Sequence, residues 1–149
     1  MENNLIIQSA TEADFEKIRR IQKEDGYDHS YYLTSDRLRR LFQRGERFFI
    51  TYLNEEPVGM FSLDIEIRAK LHFFSIIKQL QKKGIGREML KFAVVKVKET
   101  SKEISVMYCY SEKNAPLAEF LKKNNFQEVG FYKNKFMNGR DAVVLEIKI

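Results

Sequence analysis

The chain is poor in the residues that build disulfides and zinc sites. Cys109 is the only cysteine among 149 residues, so no disulfide can form within the chain. One cysteine and two histidines, His29 and His72, also argue against a structural zinc site, which is built mainly from those residue types. We therefore predict no metal site, and a cytoplasmic location as the default for a chain without disulfides.

Long hydrophobic runs are absent as well. No apolar stretch approaches the roughly 20 residues needed to span a bilayer, and residues 1–4 lack the basic-then-apolar pattern of a signal peptide. Hydrophobic residues still make up 44% of the chain and charged residues 32%, which is typical of globular proteins. We predict a single domain spanning residues 1–149, with a hydrophobic core and no membrane partner.

A glycine-containing loop is the most informative stretch. Residues 81–87 read QKKGIGR; an apolar run, 71–77, precedes them, and a helical pattern, 85–100, follows. This order predicts a strand, a glycine loop and the N-terminus of a helix. The first turn of a helix carries unpaired backbone N–H groups and a partial positive charge, so the loop is predicted to bind an anion.

Two common phosphate loops are missing here. There is no GxxxxGK[ST] pattern, and Met89 stands where a dinucleotide loop that began at Gly84 and Gly86 would place its third glycine. Residues 78–102 nevertheless hold eight lysines and arginines against two glutamates. A nucleic-acid surface is one interpretation of this patch, but no nucleic-acid module accompanies it. We therefore predict one polyanionic cofactor and no nucleic acid.

The hydrophobic pattern predicts a mixed fold in the order βααβββαβαββ. The strands are predicted at 5–8, 47–53, 58–67, 71–77, 104–110, 128–135 and 142–149. The helices are predicted at 12–23, 36–43, 85–100 and 114–123. The strands flanking the glycine loop and its helix should be parallel neighbours, and the run 47–77 should form an antiparallel meander. Asn138-Gly139 is expected to join the last two strands as a hairpin.

With this order, the chain resembles the GCN5-related N-acetyltransferase (GNAT) superfamily, which transfers acetyl from acetyl-coenzyme A to an amine. The loop resembles the family's Q/R-x-x-G-x-G/A pyrophosphate motif. Asn114, Phe120 and Phe126 match the family's N-x-x-A-x-x-(F/L)-Y-x-x-x-G-F segment. The run 134–142 is similar to the C-terminal hairpin of protein N-terminal acetyltransferases. The resemblance implies an α/β (α+β) fold with a mixed sheet of about seven strands and about four helices.

The same resemblance implies acetyl-coenzyme A as the cofactor. Strand backbone groups would bind the pantetheine arm, loop N–H groups would hold the pyrophosphate, and the Asn114 amide would reach the pantetheine or a phosphate. An alternative for Asn114 is a helix cap alone. The implied cofactor contacts are Phe74, Ser75, Ile76, Gln81, Lys82, Lys83, Gly84, Ile85, Gly86, Arg87 and Asn114.

The catalytic positions of the family are occupied differently here. The tyrosine that serves as general acid is replaced by Leu121, and the glutamate of the N-terminal acetyltransferases is replaced by Cys109. His72 aligns with a histidine that arylalkylamine acetyltransferases use as a base through water; the alternative is a packing histidine. Tyr108 and Tyr110 share a strand face, so either could supply the acid or serve only as a packed aromatic.

The resemblance does not specify the acceptor beyond a primary amine, in a small molecule or a peptide. Tyr27, Tyr31 and Tyr32 lie in an aromatic loop that we predict to line the acceptor site; the alternative is that they only anchor the loop. We predict an N-acetyltransferase that works by direct attack in a ternary complex, as a monomer or homodimer. The alternative is a catalytically weak or inactive module of the same fold that binds acyl-coenzyme A.

Overall fold

The structure, a computed structural model, describes residues 4–149. Its strands are β1 (Leu5–Ser9), β2 (Arg47–Leu53), β3 (Glu56–Ile65), β4 (Ala69–Ile76), β5 (Val106–Glu112), β6 (Gln127–Tyr132) and β7 (Ala142–Lys148). Its α-helices are α1 (Phe15–Glu24), α2 (Ser35–Gln43), α3 (Ile85–Thr100) and α4 (Pro116–Lys123). The predicted order of elements and the predicted mixed fold are confirmed.

All seven strands join in one sheet with the order β1-β2-β3-β4-β5-β7-β6. Strands β2 to β4 form the predicted antiparallel meander, and β1 pairs with β2, also antiparallel. Strands β4 and β5 are parallel neighbours joined through α3. The ladder between β4 and β5 holds only two residue pairs, Ala69 with Met107 and Lys70 with Tyr108. Beyond these pairs the two strands no longer bond to each other, so the sheet opens toward their C-terminal ends.

Helices cover both faces of the sheet and give it two hydrophobic cores. On one face, α3 packs with α4 through its predicted apolar stripe, which consists of Ile85, Met89, Ala93 and Val97. On the other face, α1 and α2 pack against β2, β3 and β4. Because both faces are buried, β2 and β3 are apolar almost throughout, as two-sided strands must be. No helix in residues 4–149 combines the length and hydrophobicity of a membrane span.

Asn114 does not cap the last helix, so that alternative is wrong. The N-cap of α4 is Ala115, which makes no side-chain cap, and Pro116 begins the helix. Asn114 itself has φ +68, a left-handed backbone conformation rather than the extended one of an N-cap. At the other end, Asn125 has φ +73 and ends the helix in the left-handed conformation that was predicted.

The predicted hairpin at Asn138-Gly139 is also wrong, because β6 ends at Tyr132 and a nine-residue connection, residues 133–141, leads to β7. Asn138 and Gly139 do have positive φ values, +66 and +71. The residues before them do not pair with β7; instead, Asn134 donates its backbone N–H to Asp141 Oδ1 at 2.9 Å. The result is a broad loop rather than a tight turn.

Candidate active site

A β-bulge marks the point where β4 separates from β5. On β3, Met60 pairs with Ser75 and Ser62 pairs with His72, so two β4 residues stand opposite one residue of β3. Phe73, in the bulge, has φ +50. Bulges are frequent beside active sites because they re-aim side chains and interrupt pairing. Phe74 and Ile76 are partly buried and pack on the α3 side, and their backbone groups are not paired with β5.

His72 forms a pair with a carboxylate at this opening. Its Nδ1 lies 3.0 Å from Glu46 Oε2, and its side chain is 26% exposed whereas that of Glu46 is 6% exposed. Burial lowers the pKa of His72, although the bond to Glu46 opposes that shift. Burial raises the pKa of Glu46, but hydrogen bonds from His72 and Ser62 outweigh it and lower the pKa overall. At neutral pH the pair is therefore a neutral imidazole and a carboxylate.

The Glu46 carboxylate has two side-chain partners, His72 and Ser62. Glu46 follows α2 and precedes β2; its Oε2 also accepts a hydrogen bond from Ser62 Oγ at 3.1 Å. With the imidazole proton on Nδ1, His72 donates to this carboxylate and keeps a lone pair on Nε2. The sequence gives no sign of Glu46, because its partner lies 26 residues away and no local pattern distinguishes it from a surface glutamate.

Tyr108 and Tyr110 project from β5 on the same face of the sheet as His72. Lys70 pairs with Tyr108 in the parallel ladder, and His72 and Tyr110 each lie two residues further along, across the opening from each other. The two tyrosine rings are 5.7 Å apart, edge to face. Burial raises the pKa of Tyr108, so its hydroxyl is protonated at neutral pH. The structure thus brings the three predicted catalytic residues to one region.

The loop between α1 and α2 carries the three predicted acceptor tyrosines, but it separates them. Tyr31 packs edge-on against Phe73 of the bulge, with ring centroids 6.2 Å apart. Tyr27 and Tyr32 instead flank His29, at 5.1 and 5.3 Å. The Nε2 atom of His29 also lies 2.5 Å from Asp25 Oδ2, a second histidine–carboxylate pair that the sequence did not reveal. Tyr31 is therefore the loop tyrosine beside the His72 strand.

Arg140 and Asn138 tie this loop to the connection between β6 and β7. Arg140 Nη2 lies 3.2 Å from Asp28 Oδ2, and its Nη1 lies 2.9 Å from Glu112 Oε1 at the end of β5. Asn138 adds a hydrogen bond to the backbone oxygen of Ser30 at 3.3 Å. These contacts hold the two loops together at the C-terminal end of β5.

The two glycines of the predicted anion loop have different structural tasks. Gly84 has φ +89 and is the N-cap of α3 with no side-chain cap; nothing lies within 4 Å of the position where a Cβ would stand. A Cβ on Gly86, by contrast, would lie 2.7 Å from Phe120 Cζ. Gly84 therefore gives the loop its shape and leaves its outer side open, whereas Gly86 allows α3 to pack closely against α4.

The open side of this loop has the character of an anion site. The first N–H groups of α3 receive no side-chain cap, and the side chains of Lys82, Lys83 and Arg87 form no ion pair within residues 4–149. Gln81 anchors the loop from below: its Nε2 donates to the backbone oxygen of Asp25 at 2.7 Å and of Ile76 at 2.8 Å. A helix N-terminus with uncapped N–H groups and nearby cations favours an anion.

The side chains at the two catalytic positions that depart from the GNAT pattern are buried and cannot take part in proton transfer. Leu121 is fully buried in the core beneath α3 and α4. Cys109 is 2% exposed and points to that same core, where burial raises the pKa of its thiol to about 12. Neither side chain can exchange a proton with a ligand in the opening. Asn114, by contrast, is exposed at the C-terminal end of β5.

Comparisons with known proteins identify the family. The model of the acetyltransferase (GNAT) family matches residues 12–126. An N-alpha-acetyltransferase of Sulfolobus acidocaldarius is 27% identical over 156 aligned positions, covering 95% of this chain and 91% of the relative.

Solved structures show the same fold at low sequence identity. Ard1 from Thermoplasma volcanium has a TM-score of 0.83 and 14% identity, covering 97% of both chains. The ribosomal-protein-S18-alanine N-acetyltransferase of Escherichia coli has a TM-score of 0.81 and 15% identity, covering 98% of this chain and 94% of its own. The chain belongs to the GNAT family and is an acetyltransferase.

Proposed function

We propose that this enzyme transfers acetyl from acetyl-coenzyme A to a primary amine, with His72 as the general base. The observation that carries this proposal is the His72–Glu46 pair at the opening between β4 and β5. It supplies a neutral imidazole at the place where the pantetheine arm is expected to end. A histidine with an unpaired Nε2 and a fixed partner on Nδ1 has the arrangement that a base at neutral pH requires.

The coenzyme supplies an activated acetyl thioester, and several groups of this chain are suited to hold it. The N–H groups at the start of α3, with Lys82, Lys83 and Arg87, would bind the diphosphate. The unpaired edge of β4 after Lys70 would bind the pantetheine amides as a neighbouring strand would. A backbone N–H at the bulge would polarise the thioester carbonyl, and the Asn114 amide would bind the pantetheine or a phosphate.

The proposed role of His72 is to take a proton from the acceptor ammonium, directly or through one water. Glu46 holds the imidazole in the tautomer with a basic Nε2 and stabilises the imidazolium once the proton has moved. Tyr110, across the opening, is the proposed proton donor to the departing sulfur; Tyr108 is the other candidate. A thiol has a pKa near 8.5, so its thiolate leaves even with weak acid assistance.

The acceptor that we favour is the α-amine of a peptide chain. The relative with 27% identity over 95% of this chain carries the name N-alpha-acetyltransferase. The two loops that Arg140 holds together lie at the C-terminal end of β5, where the sheet opens, and an extended chain end would enter there.

The competing function is a module that binds acyl-coenzyme A without turning it over. Leu121 and Cys109 favour it, because the usual acid and base positions hold groups that cannot transfer protons. Thiol release from acetyl-coenzyme A, measured with a panel of peptides, polyamines and small amines, separates the two. We expect turnover with at least one amine. Tight coenzyme binding without turnover on any amine would instead support the module.

Replacing Arg140 with alanine should release the two loops from each other. We expect the KM for the amine to rise about fivefold, the scale typical of partly exposed charge pairs, with the coenzyme Kd unchanged because the glycine loop is untouched. Steady-state kinetics and a coenzyme titration measure the two quantities. Lys133→Ala is the matched control, since it removes an exposed cation from the same loop. An Arg140→Ala enzyme with the parental KM would show that this contact does not shape the acceptor site.

A further inference from the structure

Two lysine side chains approach the ring of one tyrosine beside the proposed base. Lys70 Nζ lies 5.1 Å and Lys135 Nζ lies 5.2 Å from the centroid of the Tyr110 ring. Lys135 Nζ also lies 5.5 Å from the centroid of Tyr132. The two lysines come from distant parts of the chain, β4 and the loop 133–141, so the fold itself brings these charges together.

Neither ammonium group has a carboxylate partner within residues 4–149. No carboxylate oxygen lies within 4.0 Å of either Nζ. Asp64 stands opposite Lys70 in the β3–β4 ladder without forming an ion pair. Glu46, the other carboxylate that acts on Lys70, is bonded to His72 and Ser62. Neither ammonium group is therefore in a direct ion pair within the described residues, although Glu46 and Asp64 act on Lys70 at longer range.

This arrangement carries an electrostatic cost that an anionic ligand would remove. Lys70 is half-buried; burial lowers its pKa, and the neighbouring charge of Lys135 lowers it further. Like charges held together without a directly paired counter-ion weaken the folded state. Lys70 and His72 are two residues apart on one strand face, so the pair of cations lies beside the position proposed for the reacting amine.

We propose that the acceptor carries a carboxylate close to its reacting amine, and that Lys70 and Lys135 bind this carboxylate. The proposal rests on the proposed function and deepens it, because it names the chemistry next to the amine. An acidic residue in the first two positions of a peptide has this chemistry, and so does a free acidic amino acid. The aromatic rings of Tyr110 and Tyr132 complete the surface on which the two cations lie.

The test compares two acceptor peptides that differ only by glutamate or glutamine as the second residue. We expect kcat/KM to be about tenfold higher for the glutamate peptide, the scale of one charge-assisted contact. Lys70→Met and Lys135→Met should each bring this ratio toward one, and Lys135→Glu should bring it below one. Raising the salt concentration should also lower the ratio, because Lys135 is exposed. Free aspartate and asparagine, run as a second pair, show whether a peptide is needed.

The measured quantity is the ratio of kcat/KM for the two peptides with one enzyme preparation. A variant that is merely less stable lowers both values together and leaves their ratio unchanged. Lys133→Met, an exposed lysine of the same loop, should keep the parental ratio. Turnover of both peptides with a ratio within about twofold of one would overturn the inference and leave the proposed function standing. Turnover of neither peptide would count against the proposed function; the ratio of the two peptides' Kd values for the coenzyme-loaded protein would then decide the inference. Loss of coenzyme binding in Lys135→Met with an unchanged ratio would assign the cations to a coenzyme phosphate instead.

Discussion

Replacing His72 with alanine is expected to lower kcat/KM for the amine by about 10²- to 10⁴-fold, the usual contribution of a general base. The coenzyme Kd should stay the same, because the His72 ring stacks on Phe73 and bonds to Glu46 rather than to the glycine loop. Initial rates and a coenzyme titration on the same preparation measure both. A rate within about twofold of that of the parental enzyme would show that His72 is a packing residue and not the base.

The pH profile tests the same role independently. Burial lowers the pKa of His72 below its ordinary value of 6.5, so the imidazole gains its proton, and the rate falls, only below that pH. Glu46→Gln should move this acidic limb to still lower pH. The Glu46 carboxylate accepts a hydrogen bond from the His72 ring and thereby raises the pKa of His72, so its loss lowers that pKa. His72→Ala should abolish the limb. A limb near pH 8 that belongs to the amine itself should persist in every variant.

The second histidine provides the control. His29 is paired with Asp25, as His72 is with Glu46, but it stands between Tyr27 and Tyr32 in the α1–α2 loop. His29→Gln should therefore keep the acidic limb, whatever it does to the KM. If the limb disappears in His29→Gln and remains in His72→Ala, the base is the loop histidine instead.

Replacing Gly84 with valine should raise the coenzyme Kd by about 100-fold or more. Gly84 has φ +89, a conformation that costs other residues roughly 1–2 kcal/mol and is a true outlier for a β-branched side chain. The loop is expected to adopt a different backbone, so that the N–H groups at the start of α3 no longer converge. Losing two charge-assisted hydrogen bonds of about 1.5–3 kcal/mol each accounts for the change in affinity. Calorimetric titration with coenzyme A measures it.

Gly45→Val is the matched control for this experiment. Gly45 has φ +91, and nothing lies within 4 Å of its Cβ position, so the local strain is nearly the same as at Gly84. It lies between α2 and β2, away from the glycine loop. Thermal unfolding should show similar losses for the two variants, whereas only Gly84→Val should lose coenzyme affinity. Equal affinities in both would mean that this loop is not the diphosphate site.

The parts of the fold that the sequence predicted are those with a local physical cause. The stripe on α3 is visible at i, i+4 spacing, because Met89, Ala93 and Val97 must face the sheet together. The start of α2 follows from Thr34, whose side chain accepts from the N–H of Arg37 at 3.1 Å. Capping and periodicity act within a few residues, so a single sequence is enough to reveal them.

The contacts that define the candidate site act across long stretches of chain. Glu46 meets His72 only because β2, β3 and β4 pair in one register, and Lys135 meets Lys70 only because β6, β7 and β5 close the sheet. No local sequence pattern around Glu46 or Lys135 predicts these contacts. The predicted hairpin at Asn138-Gly139 is wrong for a different reason. The backbone of these two residues adopts the positive φ values of a hairpin turn, but residues 133–136 do not continue the strand pairing.

The two-pair ladder between β4 and β5 has a further consequence for solubility. An unpaired strand edge normally invites another chain to add to the sheet and aggregate. Here the two unpaired edges face each other inside one sheet, so a foreign strand cannot lie along either without displacing the other. The outer edge at β6 is protected differently, since it is only six residues long and its register with β7 shifts near Gly130. The polar edge at the centre of the sheet is therefore available to a narrow ligand or a single chain end, but not to a further strand that would extend the sheet.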